Sequence, residues 1–266
     1  MVYGAGAGGV GVADQIYAGL LKEGSAHQAA RDRIFILDSQ GLVFEDRDGL
    51  DEYKKRYAKP RAIAQGWQTE TPEKVSLTEL INHHPITVLL GTSGVGGAFK
   101  AEHVQKMMTY SSRPMIFPLS NPTANCEAIP EDIYQWSDGQ AIVATGSPFA
   151  NVNYQGREFR IGQGNNVFIF PGVGLASIVS KTPKVTLDMF TAASYALADC
   201  VTEEDLANGC VYPRIRDLKT VSIIVAKVIL EQIQATDPNS LLRGQDIEKE
   251  LAEHMWEPVY LPYRRV

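Results

Sequence analysis

Gly4, Gly6 and Gly9 stand between a three-residue apolar stub, Met1-Val2-Tyr3, and a run with helical spacing, a pattern able to cradle a diphosphate. The chemistry requires glycine at each place for a separate reason: a tight turn, close approach of backbone to a pyrophosphate, and close packing of helix on strand. A helix starting there offers unpaired N–H groups and a partial positive charge to phosphate oxygens. Asp38 ends the next apolar run, Ile34-Phe35-Ile36-Leu37, where a carboxylate accepts hydrogen bonds from an adenosine ribose. It lies further from Gly9 than the roughly 20 positions usual for this motif, and a helix inserted over Ser25 to Asp32 takes up the difference. The competing reading is a glycine turn that only packs, with Asp38 a surface acid. Asp38 also favours NAD over NADP, because a carboxylate repels a 2′-phosphate unless cations intervene. Lys54 and Lys55 are the candidate cations, although both sit in a charged stretch that reads as solvated.

Four further loops carry small polar groups at predicted strand ends: Gly91-Thr92-Ser93-Gly94, Ser120-Asn121-Pro122-Thr123, Gly146-Ser147-Pro148-Phe149 and Gly162-Gln163-Gly164-Asn165-Asn166. In a sheet of parallel strands, ligands collect at the carboxyl ends. Asparagine offers a donor and an acceptor without titrating, so Asn121, Asn165 and Asn166 can orient a carboxamide, a hydroxyl or a carboxylate. Each taken alone is more often a turn former than a ligand, but three at strand ends of one sheet point to binding. The five histidines (His27, His83, His84, His103 and His254) fall on predicted helices or helix ends, away from these loops. No HExxH or DxDxDG motif occurs, and Asp199, Glu203, Glu204 and Asp205 surround a helix junction where capping and solvation account for them. The residues therefore supply no general acid, no general base and no metal cage.

The elements that position these loops alternate. A helix over Gly8 to Lys22 stops at Gly24, and the Ser25–Gln28 spacing predicts a capping box opening the inserted helix. Strands are expected at 34–37, 86–90, 115–119, 141–145 and 167–170, with capped or amphipathic helices from Ser76, over 101–110 and over 131–136. Asp46 to Arg61 is expected as a solvated loop or surface helix, and Tyr154-Gln155-Gly156-Arg157 as a hairpin tip. With the stub, six strands alternating with helices make an α/β doubly wound parallel sheet of the Rossmann type. The sheet is expected over residues 1–171, followed over 172–266 by helices (187–201, 218–234 and 244–256, with turns at Asn208-Gly209 and Asp237-Pro238-Asn239) and a Tyr-, Pro- and Arg-rich arm from Glu257.

With 266 residues, 44% hydrophobic and 21% charged, the chain can bury a substantial core. A net charge of -6 argues against a nucleic-acid partner, and no apolar run is long enough for a membrane helix. Cys126, Cys200 and Cys210 form no CxxC pair and read as buried or idle thiols of a reducing, cytoplasmic setting. A glycine turn of this kind normally follows a full strand of about five or six residues, so three residues before Gly4 predict a first strand cut short and a chain that is part of something longer.

Together, Gly4-Ala5-Gly6 with Gly9, Leu37-Asp38, Arg113-Pro114 through Pro118-Leu119-Ser120-Asn121-Pro122-Thr123, Ala144-Thr145-Gly146-Ser147-Pro148-Phe149, and Gly162-Gln163-Gly164-Asn165-Asn166 through Phe170-Pro171-Gly172 resemble the C-terminal, NAD-binding domain of malic enzymes over essentially the whole chain. The closing Trp256 and Tyr263-Arg264-Arg265 resemble bacterial members. The resemblance implies oxidative decarboxylation of L-malate to pyruvate and carbon dioxide with NAD(P) and Mg²⁺ or Mn²⁺, in dimers or tetramers. It implies cofactor contacts at Gly4, Gly6, Ala7, Gly8, Gly9, Asp38, Thr92, Ser93, Asn121 and Asn165, and malate contacts at Asn121 and Asn166. In that family the catalytic tyrosine and lysine and the acidic metal ligands precede the glycine turn, so this chain alone is expected to bind cofactor without turning over malate. Malolactic enzymes share the glycine turn and the Ser-Asn-Pro-Thr loop and stand second. A dinucleotide-binding module that performs no chemistry is the alternative from another class.

Overall fold

The computed structural model describes residues 1–71, 73–237, 240–255 and 260. The expected arm from Glu257, the residues Trp256 and Tyr263-Arg264-Arg265, and the Pro238-Asn239 turn lie outside them. The chain divides into two compact units, Met1–Asn165 with Val201–Arg214, and Asn166–Cys200 with Ile215–Val266.

The first unit carries strands β1 (Val2–Tyr3), β2 (Ile36–Asp38), β3 (Gly41–Leu42), β4 (Val88–Gly91) and β5 (Met115–Pro118). Beyond them come β6 (Ile142–Thr145), β7 (Val152–Tyr154), β8 (Arg157–Phe159) and β9 (Gly162–Gln163). Seven form one sheet in the order β3-β2-β1-β4-β5-β6-β9, all parallel except β3, which returns antiparallel along β2. Strand order reverses at β1, whose Val2 lies opposite Ile36 on one side and Leu90 on the other. That reversal opens a crevice at the carboxyl ends of β1 and β4.

Successive side chains of a strand point to opposite faces, so buried runs feed two cores. Leu37, Leu89, Ile116 and Val143 pack with Leu80 of α4 (Leu77–His83), Val104 and Met107 of α5 (Ala101–Met108) and Ile133 of α6 (Pro130–Trp136). Their neighbours Ile36, Leu90, Phe117 and Ala144 pack with Val10 and Ala13 of α1 (Ala7–Lys22) and with Tyr57. Fully burying a side chain of this size contributes about 1.5–3 kcal/mol, which fixes both the register and the side from which each helix arrives. The fold is thus the doubly wound α/β sheet expected from the sequence.

The local expectations hold in part. Ser76 and Glu79 form the capping box of α4, and β7 and β8 make a hairpin turning at Gln155 and Gly156. The expected strand over 167–170 is not one: Asn166–Phe168 is a 3-10 turn, and Phe170–Ser180 forms helix α7. A short apolar run does not distinguish strand from helix by period, and Pro171, with φ preset and no N–H, suits a helical first turn. The outer parallel strand is β9, a glycine and a glutamine with little strand propensity of their own, paired with Ala144 and Thr145. Nor does Ser25 cap the inserted helix α2 (His27–Asp32), whose N-cap is Ala26 without a side-chain bond. Ser25 N–H instead donates to Leu20 O at 2.9 Å and closes α1.

The charged stretch from Asp46 is less solvated than expected. It contains a short helix α3 (Glu52–Lys55), and Tyr57 and Lys59 beyond it are buried. Lys59 Nζ donates to the carbonyls of Arg31 (2.6 Å) and Asp32 (3.2 Å), and burial pulls its pKa down to about 8. Asp205, on the short helix α9 (Glu203–Ala207) of this unit, is likewise buried, held by Arg160 at 2.9 Å and Arg214 at 3.4 Å. Ion pairing, not solvation, accounts for that acid.

The second unit is helical: α7 (Phe170–Ser180), α8 (Leu187–Asp199), α10 (Leu218–Thr236) and α11 (Ile247–His254). Gly172 lets α7 approach α10, since a Cβ there would lie 2.6 Å from Val225 Cγ1. Among the described residues no helix is long and apolar enough to cross a membrane.

Candidate functional site

The glycine turn joins β1 to α1. Gly4 adopts φ +117, a conformation that side chains oppose, and a Cβ there would lie 2.4 Å from the Thr92 carbonyl carbon. A Cβ on Gly9 would lie 2.0 Å from Gly4 O and 2.6 Å from Thr92 Oγ1, so the helix seats on the strand only without a side chain. Gly6 and Gly8 differ: nothing lies within 4 Å of a Cβ at either. Gly6 is the N-cap of α1, no side chain caps it, and the first turn carries no acid. The intrahelical ladder begins with Val10 N–H on Gly6 O at 3.0 Å, which leaves the N–H groups of Ala7, Gly8 and Gly9 ahead of it. Bare backbone, open space and the positive end of a 16-residue helix make a cradle for an anionic diphosphate.

Asp38 ends β2 one strand away, and its carboxylate is not free-standing. Arg47 grips it with two bonds (2.9 and 2.6 Å), Lys54 Nζ lies at 3.2 Å and Gln40 N–H donates at 3.0 Å. Partial burial pushes this carboxyl upward, but the hydrogen bonds from Arg47, Gln40 and Lys54 and the charge of Arg47 outweigh it and hold it below the ordinary range. Of the two lysines singled out in sequence, Lys54 reaches Asp38, while Lys55 pairs with exposed Glu52 at 2.6 Å. Sequence reasoning missed Arg47; only folding brings it back from the loop after β3 onto Asp38.

The strand-end loops lock onto one another. Thr92 Oγ1 donates to Gly4 O at 2.8 Å, tying the end of β4 to the glycine turn. Ser93 and Ser120, at the ends of β4 and β5, converge on Glu127, which is completely buried. Its Oε1 accepts from Ser93 N–H (2.8 Å), Ser93 Oγ (2.8 Å) and Ser120 Oγ (2.6 Å), and its Oε2 from Ser120 N–H at 3.3 Å. Gly91 makes room, since a Cβ there would sit 2.4 Å from the Glu127 carboxylate. Glu127 was not singled out in sequence; a lone acid after Asn-Pro-Thr carries no motif. Ser147 Oγ donates to Asn121 Oδ1 at 2.5 Å, and Gln163 Nε2 to Gly146 O at 3.0 Å, which joins the ends of β5, β6 and β9. A Cβ on Gly146 would lie 2.1 Å from Leu119 O.

The structure therefore brings Gly4, Gly6, Ala7, Gly8, Gly9, Asp38, Thr92, Ser93, Asn121 and Asn165 to the carboxyl ends of one sheet, within the first unit. The hydroxyls of Thr92 and Ser93 face inward, toward Gly4 O and Glu127. Asn166 opens the 3-10 turn that begins the second unit. Among the described residues no three His, Cys, Asp or Glu side chains converge on a point that could hold a metal ion.

These features define a dinucleotide-binding α/β domain of the Rossmann type. Comparison with known proteins narrows the class. Residues 1–234 match the family model described as "Malic enzyme, NAD binding domain", and the chain belongs to that family. It is 39% identical over 262 residues to an NAD-dependent malic enzyme of Proteus mirabilis (strain HI4320), covering 98% of this chain and 46% of the relative. The corresponding enzyme of Acinetobacter baylyi is 39% identical over 267 residues, covering 99% and 46%. NAD-dependent malic enzyme 3 of Bacillus subtilis (strain 168) is 36% identical over 271 residues, covering 100% and 47%. The chain thus spans about half the length of the curated relatives it matches.

Proposed function

We propose that this chain holds NAD for the oxidative decarboxylation of L-malate to pyruvate and carbon dioxide. The observation that carries the reading is the uncapped start of α1, with Gly6 and Gly8 open to an approaching diphosphate and Asp38 at the next strand end. In this reading Gly4 and Gly9 shape the turn, while Gly6, Ala7 and Gly8 present amides to the phosphates. Asp38 accepts from the adenosine ribose in place of one of its present donors, the longest of which is Lys54 at 3.2 Å. The second mononucleotide lies over the ends of β4, β5 and β9, near Thr92, Ser93, Asn121 and Asn165. The proposed malate contacts are Asn121, whose amide Ser147 steadies, and Asn166, which rests on the family resemblance alone.

Hydride transfer from the malate hydroxyl carbon needs a base at that hydroxyl, and decarboxylation needs an electrophile at the resulting ketone. A divalent cation, Mg²⁺ or Mn²⁺, supplies the second in this class of chemistry. Among the described residues no cluster fits such an ion; on the family resemblance, the metal and the proton-transfer groups are assigned to a separate segment, and this chain's share is binding and orientation. A homo-oligomer in the cytoplasm is part of the same proposal, and the three free thiols accord with a reducing compartment.

Calorimetric titration of the purified chain with NAD tests the reading. Saturable binding without malate turnover is the expected result. No saturable binding in a sample shown to be folded refutes the cofactor assignment, and pyruvate production by the chain alone refutes the division of labour.

A further inference from the structure

Glu127 has no part in the contacts proposed above, yet it is the best-sequestered acid at the crevice. Among the described residues, each hydrogen bond of its side chain is with a donor: two backbone N–H groups and two hydroxyls. Both hydroxyls are themselves accepting, Ser120 Oγ from Gly94 N–H (2.9 Å) and Ser93 Oγ from Val95 N–H (3.1 Å), so they turn their protons to the carboxylate. A group surrounded in this way acts as acceptor only, which is the ionised form. Among the described residues no lysine, arginine or histidine forms an ion pair with it. The neutral donors spread its charge without cancelling it.

The charge lies beneath the carboxyl ends of β4 and β5, against Gly91, Ser93 and Ser120. A dinucleotide spanning a sheet of this topology puts one mononucleotide on each side of the strand-order reversal. The adenosine half goes to the Asp38 side, which leaves the nicotinamide half over β4 and β5. The oxidised ring bears a positive charge and the reduced ring does not. In a water-poor crevice a fixed anion discriminates between the two far better than in bulk water.

We infer that Glu127 is a positioning and specificity-determining residue: while its hydrogen bonds set the β4 and β5 loops, its buried negative charge favours oxidised over reduced nicotinamide cofactor. The inference rests on the proposed dinucleotide site. It assigns no proton transfer to Glu127, whose carboxylate is sealed from the crevice by the two serines.

The test is calorimetry on the full 266-residue chain with NAD⁺, NADH and ADP, the last reporting the adenosine half alone. The unaltered chain is expected to bind NAD⁺ at least as tightly as NADH; NADH binding tenfold tighter overturns the inference, and this arm needs no variant to fold. In Glu127→Gln the preference for NAD⁺ over NADH should fall at least threefold while ADP affinity stays within twofold. A Glu127→Gln chain that binds both forms with an unchanged ratio overturns the charge role. Binding of ADP but of neither NAD⁺ nor NADH overturns the inference and leaves the adenosine site standing. If folded, unaltered chain binds none of the three, the proposed function fails and takes the inference with it.

Discussion

Gly6 and Gly9 belong to one sequence motif, but the structure gives them opposite duties, and substituting each with alanine separates folding from binding. At Gly9 the new methyl would meet Gly4 O at 2.0 Å and Thr92 Oγ1 at 2.6 Å. Backbone cannot rotate away as a side chain can, so α1 must lift from β1 and break the Thr92–Gly4 bond. Overpacking of this kind typically costs about 1–3 kcal/mol, with about 1 kcal/mol more for the hydrogen bond. At Gly6 the methyl meets nothing within 4 Å, and φ of -76 suits any residue. Stability should therefore fall by only about 1 kcal/mol, the ordinary disadvantage of alanine at an N-cap. The methyl does occupy the space through which a diphosphate must approach the amides. Losing one charge-assisted bond of about 1.5–3 kcal/mol corresponds to roughly a 10- to 150-fold rise in Kd for NAD. Urea denaturation and calorimetry on both variants give the comparison. A Gly6→Ala chain that binds NAD with unaltered Kd would show that the phosphates do not lie over the start of α1.

Three further outcomes follow from the charged groups. Lys54→Ala should widen the preference of the chain for NAD over NADP by removing a cation beside Asp38, whereas Lys55→Ala, which removes a partner of exposed Glu52, should leave the ratio unchanged in parallel titrations. Asp38 is held below its ordinary range in the folded chain, so its ion pairs stabilise above the unfolded carboxylate range and lose that effect as pH falls through the depressed value. The stability gap between Asp38→Asn and the unaltered chain should accordingly be open at neutral pH and close in acid, as read by urea midpoints at stepped pH. Lys59 has the opposite sense. Folding lowers it from 10.5 to about 8, so the unfolded chain holds the extra proton between those values and stability should rise with pH across that window. In Lys59→Met that rise should be smaller; an identical slope would show that the buried amine is not its source.

Most of the sheet was legible because its strands are buried on both faces and read as uninterrupted apolar runs, as 115–118 and 142–145 do. The failures share a cause. Residues 167–170 are apolar enough for either state, and the choice fell to Pro171 and to packing of the following helix. Strand β9 has no local signal; it pairs with β6, and Gly162 packs closely against Cys210 and Tyr212, residues distant in the chain, where a Cβ would lie 3.1 Å from the thiol sulfur. Ser25 and Gln28 had the spacing of a cap, but the turn closing α1 at Gly24 consumed the serine first.

The candidate site divides along the same line. Gly4, Gly6, Gly9 and Asp38 were readable because their geometry is local: a turn, a helix start, a strand end. Of the groups that hold them still, Thr92 and Lys54 were singled out in sequence but their partners were not, and Arg47 and Glu127 were missed, because each acts across the sheet. Thr92 reaches Gly4 only since β4 pairs with β1, and Arg47 reaches Asp38 only since β3 folds back along β2. Glu127 meets Ser93 only because β4 and β5 are neighbours in register, with Gly91 opposite Pro118. A one-residue slip of β4 would turn Leu90 and Gly91 to the wrong faces and put a side chain where the Glu127 carboxylate now sits. The phosphate cradle is written in the motif, but its depth, its rigidity and the charge beneath its far half are consequences of strand pairing.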